Sequence, residues 1–528
     1  MSTCTTSRAD HPATRPGIEV DATVAPMTHR EVLEALSGLL LGIFVAMLSS
    51  TVVTNALPTI IGDLGGGEAA YTWVITATLL SITATTPLWG KLADLFDRKV
   101  LVQISIVIYV IGSALAGLAP SIGWLIGARA VQGIGVGGLT ALVQVVMAAM
   151  IAPRDRGRYS GYLGAVFALA TISGPLLGGL IVDTSWLGWR WCFLVGAPVA
   201  LVALVVLQRT LHLPRVRRTD VSIDFLGAGL IVAGVSDLLI WVSMAGQQFD
   251  WASVTTSVMV AGGVILLALA VWRESRAAEP VIPLRLFRDR NTSLASIGSL
   301  FVGVALFSGT VFLSQYFQLA RGYSPTAAGL MTLPMIGGLV VSSVVVGRII
   351  TSTGRYKSWM VAGGVSLTAG LGLLGSIDAQ TDLWLVGTYM ALVGLGLGAT
   401  MQNLVLAVQN TVSQADMGAA SSTVAFFRSL GGAVGVSALG AVLSARATGL
   451  ITDGLARLGV TPDGSGGIPQ LSTLPAPVRA VVEDAYGRSI GHVFVVAAPF
   501  AFLMLLAMLA MREVPLRTSL DLETEGSA

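Results

Sequence analysis

Long apolar runs separated by short polar turns fill the chain from about residue 36 onward. Fourteen runs can be placed, near 36–58, 71–89, 100–119, 122–150, 160–181, 192–211, 224–245, 254–272, 293–319, 326–350, 358–377, 384–406, 421–443 and 491–511. Each is close to the ~20 residues that an α-helix needs to cross a hydrocarbon core of ~30 Å. The pattern predicts an all-α membrane protein with fourteen transmembrane helices. Charge sorts along the turns. With the N-terminus inside, 23 of the 31 Lys and Arg fall on the inner side. Six fall outside (Arg190, Arg321, Arg446, Arg457, Arg479 and Arg488), and Arg129 and Arg428 lie within runs. This positive-inside bias predicts a multi-pass protein of the cell membrane with both termini cytoplasmic.

One turn stands apart. Gly90-Lys91-Leu92-Ala93-Asp94-Leu95-Phe96-Asp97-Arg98-Lys99 joins the second and third runs, and a weaker copy, Gly347 to Lys357, joins the tenth and eleventh. A basic, glycine-containing turn at matching places in two sets of six runs reads as an internal duplication. Glycine allows two helix ends to approach closely, and Asp94 and Arg98 are expected to form a charge contact that opens and closes as the halves rock. Anchoring by Lys91, Arg98 and Lys99 on the cytoplasmic side is the simpler alternative.

The expected organisation is a disordered cytoplasmic tail (1–35), an N-terminal six-helix bundle (36–211), a linker (212–223) and two extra central spans (224–272). A second linker (273–292), a C-terminal six-helix bundle (293–511) and a cytoplasmic tail (512–528) follow. The long external loop 444–490 is polar in its middle. Its end puts Val478, Val481, Val482 and Ala485 on one helical face, as in a helix lying on the membrane surface.

Composition narrows the function. Hydrophobic residues make up 54% of the chain and charged ones 11%, with mean hydropathy +0.79. The 62 glycines suit helices packed closely in lipid. A net charge of +2, scattered over short loops, gives no nucleic-acid surface. Cys4 and Cys192 make no disulfide framework, and no cleavable signal is visible. His11, His29, His212 and His492 stand apart from one another, so no metal or cofactor site is expected. No phosphate-cradling loop or nucleophile elbow is present either. The chain reads as neither an enzyme nor a nucleotide-driven pump, so transport by it must run on a gradient.

Several motifs together resemble the major facilitator superfamily, and within it the fourteen-span drug:proton antiporters, over about residues 30–515. Gly90–Lys99 is similar to the family's loop motif. Arg129-Ala130-Val131-Gln132-Gly133-Ile134-Gly135 is similar to the span-four motif with a buried arginine. Gly174-Pro175-Leu176-Leu177-Gly178-Gly179 resembles the span-five motif of antiporters. Trp189-Arg190-Trp191 with Phe193, and Gly322-Tyr323-Ser324-Pro325 with Gly329, match the fourteen-span pattern. The resemblance implies two six-helix bundles plus two extra spans, and alternating-access export of hydrophobic or amphiphilic drugs or antibiotics in exchange for protons. Export of an endogenous lipid or secondary metabolite, and a membrane receptor or lipid-interaction protein without transport, stay open as alternatives.

Candidate residues follow. Gly90, Asp94, Arg98 and Lys99 would gate the cytoplasmic side. Gly174, Pro175, Gly178 and Gly179 would give a kinked, smooth face on the fifth span. Arg129 is costly in lipid, so it should face a partner or a wet cavity. The resemblance also implies a first-span aspartate as proton carrier, but Ser49 stands at that position and cannot titrate near neutral pH. Asp237, the one carboxylate near mid-span, and Asp63, just past the first run, are the other coupling candidates. Thr54, Asn55, Gln132, Gln144, Gln315, Gln318, Gln402 and Asn403, with Phe312, Tyr316 and Phe317, are the candidate cavity lining for a small organic substrate. Interhelical hydrogen bonding is the alternative role for each polar residue among them.

Overall fold

The computed structural model describes residues 29–65, 68–184, 187–211, 213, 224–246, 248–277, 279–460 and 474–518. The first repeat comprises α1 (His29–Asp63), α2 (Glu68–Leu95), α3 (Arg98–Gly117), α4 (Ile122–Met150), α5 (Pro153–Asp183), the one-turn α6 (Trp191–Leu194) and α7 (Gly196–Thr210). Then come α8 (Phe225–Met244) and α9 (Val254–Glu274). The second repeat comprises α10 (Arg290–Gln315), prolonged by a π-helical turn, α11 (Pro325–Met331), α12 (Leu333–Thr353), α13 (Lys357–Leu374), α14 (Leu383–Gln409), α15 (Met417–Arg457) and α16 (Ala476–Ala510). Among the described residues, twelve helical segments are long and apolar enough to cross a membrane. The two other long helices are α2 and α13. In α2 the hydropathy is diluted by threonines whose hydroxyls are already satisfied. Thr85 and Thr86 donate to the carbonyls four residues back, each at 2.6 Å.

Packing follows the same order in both repeats. α1 packs on α5 and α7, and α10 on α15 and α16. α4 sits between α2 and α3, and α14 between α12 and α13. The repeats then meet along two equivalent seams, α2 against α15 and α5 against α12. α8 lies against α2 and α15, over one seam, with Leu80, Leu88, Phe426 and Phe427 in their shared apolar cluster. α9 packs chiefly on α8 and leaves Val254, Val258, Ile265 and Leu269 exposed, an apolar face suited to lipid.

Local chemistry explains the element ends. The Asp97 carboxylate caps α3 by accepting from the N–H of Lys99 at 2.9 Å, and Asp289 caps α10 through Thr292 at 2.8 Å. Gly322 takes a left-handed φ of 66°, and the Tyr323 N–H donates to the Phe317 carbonyl. Ser324 then caps α11, and Pro325 opens its first turn. That sequence of turn, cap and proline is why Gly322 to Pro325 reads as a motif. α12 ends on Gly354, φ 72°, whose N–H donates to Ile350 at 2.7 Å. A side chain there meets open space but a strained backbone. Gly354→Ala should therefore destabilise the protein by about 1 kcal/mol, read as a small drop in thermal midpoint, with transport retained.

Three expectations change. α1 begins at His29 rather than 36 and runs through Asp63, so that carboxylate sits in the last helical turn rather than past it. Most of 444–490 is helix, because α15 continues to Arg457 and α16 begins at Ala476. The face expected to lie on the membrane instead packs inward: Val482 and Ala485 are buried and Val481 meets Gly454 of α15. Residues 461–473 and Cys4 lie outside the described residues.

Candidate functional site

Both glycine-containing turns lie at one end of the bundle, the basic end, and each stands on a seam between the repeats. Asp94, in the last turn of α2, is buried. It does not pair with Arg98 as expected. Its carboxylate accepts from the backbone N–H of Gly418 at 2.7 Å and of Ala419 at 2.8 Å, at the start of α15. Those N–H groups belong to the first helical turn, which has no intrahelical acceptors and carries the positive end of the helix dipole. Arg98 donates instead to the Ala93 carbonyl at 3.2 Å, Lys99 to the Gln208 carbonyl at 2.8 Å, and Lys91 to Glu279 at 2.5 Å. The last contact ties the turn to the segment after α9. Gly90 makes the approach possible, since a methyl there would overlap Ser422 and come within 2.6 Å of the Gly418 carbonyl.

The other seam repeats this geometry without the acid. A methyl on Gly157 of α5 would strike the Gly347 carbonyl and lie 2.9 Å from the Thr351 hydroxyl, the residue in Asp94's place in the second copy. Arg154 donates to the carbonyls of Thr351 and Ser352, each at 3.2 Å. Arg156, buried, donates to the Ile151 and Ala148 carbonyls and across the seam to the Gln409 side chain, all at 2.8 Å. The sequence shows Arg154 and Arg156 only as topology charges. Their spacing just before Gly157 is the signal that a duplicated turn would have supplied. The segment after α16 folds over this end. Arg517 donates its N–H to Asn410 at 3.0 Å and accepts at its carbonyl from the Arg154 N–H at 3.2 Å.

Deeper between the repeats is a cavity of about 70 Å³. Gln144 of α4 and Gln402 of α14 face each other in its wall, the Gln144 amide donating to Gln402 at 2.9 Å. Phe167, Met401, Ser343 and Arg428 also line it. Of the expected cavity residues, the structure brings these two glutamines together and disperses the rest. Asn403 donates to the Ala399 carbonyl at 2.7 Å, Gln318 to Ser314 at 3.0 Å, and Thr54 to the Ser50 carbonyl at 2.8 Å. The Gln315 carbonyl oxygen is buried without a partner. Phe312, Tyr316 and Phe317 are buried in the core of the second repeat. The side chains of Asn55 and Pro175 lie outside the described residues.

Arg129 and Gln132 form a separate network inside the first repeat. Arg129 donates to the Gln132 carbonyl oxygen, and the Gln132 amide donates to Ser113 at 2.7 Å and Ser49 at 3.1 Å. Ser49 thus completes a neutral chain around the arginine. Gly133 and Gly135 admit α2 and α3: a methyl on Gly133 would stand 2.6 Å from the Thr78 carbonyl, and one on Gly135 would stand 2.5 Å from the Tyr109 nitrogen.

The remaining candidates are structural neighbours of other elements. Gly174 seats Thr51 of α1, Gly178 is buried, and Gly179 approaches Thr326 of α11, along an α5 that stays helical throughout. Asp63 accepts from the Trp189 indole N–H at 2.7 Å, and Arg190 stacks over that indole at 4.4 Å. This contact accounts for the Trp189-Arg190 motif. Asp237 lies on α8 facing Gly262 and Gly263 of α9, away from the cavity, with one carboxylate oxygen buried and unpartnered.

The sequence over residues 39–436 matches the family model described as Major Facilitator Superfamily. An uncharacterised MFS-type transporter of Mycobacterium tuberculosis is 36% identical over 485 residues, covering 91% of this chain and 69% of the relative. The multidrug transporter protein MdtP of Bacillus subtilis is 32% identical over 452 residues, covering 86% of this chain and 80% of MdtP. Among solved structures, the proton:xylose symporter XylE superposes with a TM-score of 0.58 at 14% identity, covering 90% of this chain and 96% of XylE, a likeness of fold. Two repeats joined along glycine seams around a cavity are thus the frame of a multi-span membrane transporter rather than an enzyme, and the chain belongs to the major facilitator superfamily.

Proposed function

We propose that this protein is a secondary active exporter of hydrophobic or amphiphilic drugs or antibiotics, working by alternating access and proton antiport in the cell membrane. The observation that carries the reading is the cavity between the repeats, with the basic end held together by the contacts of the two seams and of the segment after α16. At about 70 Å³ it has room for a polar group and not for a whole drug, so cargo enters or leaves with the repeats spread. MdtP, named as a multidrug transporter, supports efflux. We take all fourteen long helices as spans and both termini as cytoplasmic. The bundles 36–211 and 293–511 are the rocking units, and 224–272 is a peripheral pair.

The cycle follows from the seams. In the closed form α15 is held by Asp94 and α5 by Gly157, Arg154 and Arg156. Releasing both opens the cavity to the cytoplasm, and cargo contacts with Gln144 and Gln402 replace their mutual hydrogen bond. Among the described residues no carboxylate lines the cavity, so the proton must act through an acid outside it. Asp94, which exchanges a buried site for a wetted one when its seam opens, fits that role better than Asp237. Drug susceptibility of cells with and without the gene tests export; no change across anionic, cationic, neutral and lipophilic compounds would remove it. In reconstituted vesicles, cargo should drive proton flux in wild type and in Asp237→Asn alike, and flux in neither would remove antiport.

A further inference from the structure

Three arginines sit deep between or within the repeats, and two of them are occupied. Arg129 lies outside the cavity and is held through Nη1 by Gln132, its Nε buried without an acceptor, and Arg156 is held by three oxygen acceptors. Arg428, on α15, differs. It lines the cavity, its Nη1 is buried without an acceptor, and no described residue forms an ion pair with it. A guanidinium offers five donors in a planar fork and stays charged, so an unmatched one at membrane depth is a costly arrangement unless something else supplies oxygen. Among the described residues no Asp or Glu lines the cavity, while the amides of Gln144 and Gln402 supply further donors nearby. Apart from the hydroxyls of Thr140 and Ser343, the rest of the wall, Phe167, Leu163 and Met401 among it, is apolar.

We infer that the cavity takes an amphiphile bearing one oxyanion, a carboxylate in the first instance, and that Arg428 receives it. The site pairs a single fixed cation with an apolar wall, which selects an acidic molecule with a hydrophobic body over a cationic drug or a many-hydroxyl sugar. The inference rests on the exporter reading and names its substrate class.

The test uses the full chain in proteoliposomes and three probes on one scaffold: a naphthylalkyl carboxylate, its primary amide, and the matching trimethylammonium compound. Wild type should export the carboxylate at least about tenfold faster than either of the others, as expected for a charge-assisted contact. Arg428→Gln should bring carboxylate and amide to parity, and Arg428→Lys should recover part of the preference. The ratio between probes is internal to each preparation, so a loss of folded protein scales all three together and leaves it unchanged. Equal export of the carboxylate and amide by wild type, preference for the cation, or an unchanged ratio in Arg428→Gln would overturn the inference while leaving export intact. Export of none of the three would count against the exporter reading and take the inference with it.

Discussion

Asp94→Asn should slow export about tenfold or more, a larger change than in expression or cargo affinity. The carboxylate now satisfies two N–H groups of α15 at once. Asparagine can present one acceptor, and its amide hydrogens would face the same N–H groups. Leaving a buried donor unmatched and losing a charge at a helix N-terminus together cost about 2 kcal/mol. At ~1.4 kcal/mol per tenfold, the equilibrium between closed and open seam moves about 30-fold toward open. The protein folds, but it spends its time facing the cytoplasm. Two measurements check this together: export rate in vesicles, and reactivity of a cysteine placed at Ser422, which the closed seam buries. Normal export with an unreactive cysteine would reduce the turn to a topological anchor. Arg98→Gln makes a useful contrast, because the hydrogen bond of Arg98 goes to the Ala93 carbonyl within its own turn and not across the seam, and its effect should be clearly smaller.

Adding bulk to the seams should have a larger effect still. Gly90→Val and Gly157→Val each put a branched side chain where even a methyl meets a serine side chain or a carbonyl oxygen of the other repeat. Backbone cannot yield as a flexible side chain does, and overpacking costs typically ~1–3 kcal/mol even where some relaxation is available. Either variant should hold the basic end apart and reduce export to near background. The atoms nearest each added methyl belong to the other repeat, so folding of each repeat should survive. Gly179→Val, which meets only the Thr326 hydroxyl at 3.3 Å, is the control and should export at near the wild-type rate. Full export by Gly157→Val would show that α5 and α12 do not need to close for turnover.

Hydrophobic pattern locates the long helices because lipid imposes one rule, that every backbone group be satisfied within its own segment. The rule says nothing about partners. Asp94 and Arg98 are four residues apart, and proximity in sequence favours their pairing. The donors that Asp94 actually accepts from, the N–H groups of Gly418 and Ala419, lie 324 and 325 positions away and are backbone groups without a chemical signature. Gln144 and Gln402 are legible as cavity residues since both are amides on corresponding helices, and they face one another. Gln132 carries the same side chain at the same kind of site, yet it is turned inward by Arg129, Ser49 and Ser113. Composition cannot separate those two glutamines; rotation about the helix axis does. Arg428 is visible in the sequence as a charge within a run, but its lack of a partner is a property of the fold alone.

The segment at Arg517 has a practical use. It is pinned to the second repeat through Asn410 and to the first through Arg154, so its two anchors part company whenever the basic end separates. A fluorophore at Thr518 paired with another at Arg158 would report that separation as a distance, in single molecules and in real time, without a label anywhere near the cavity.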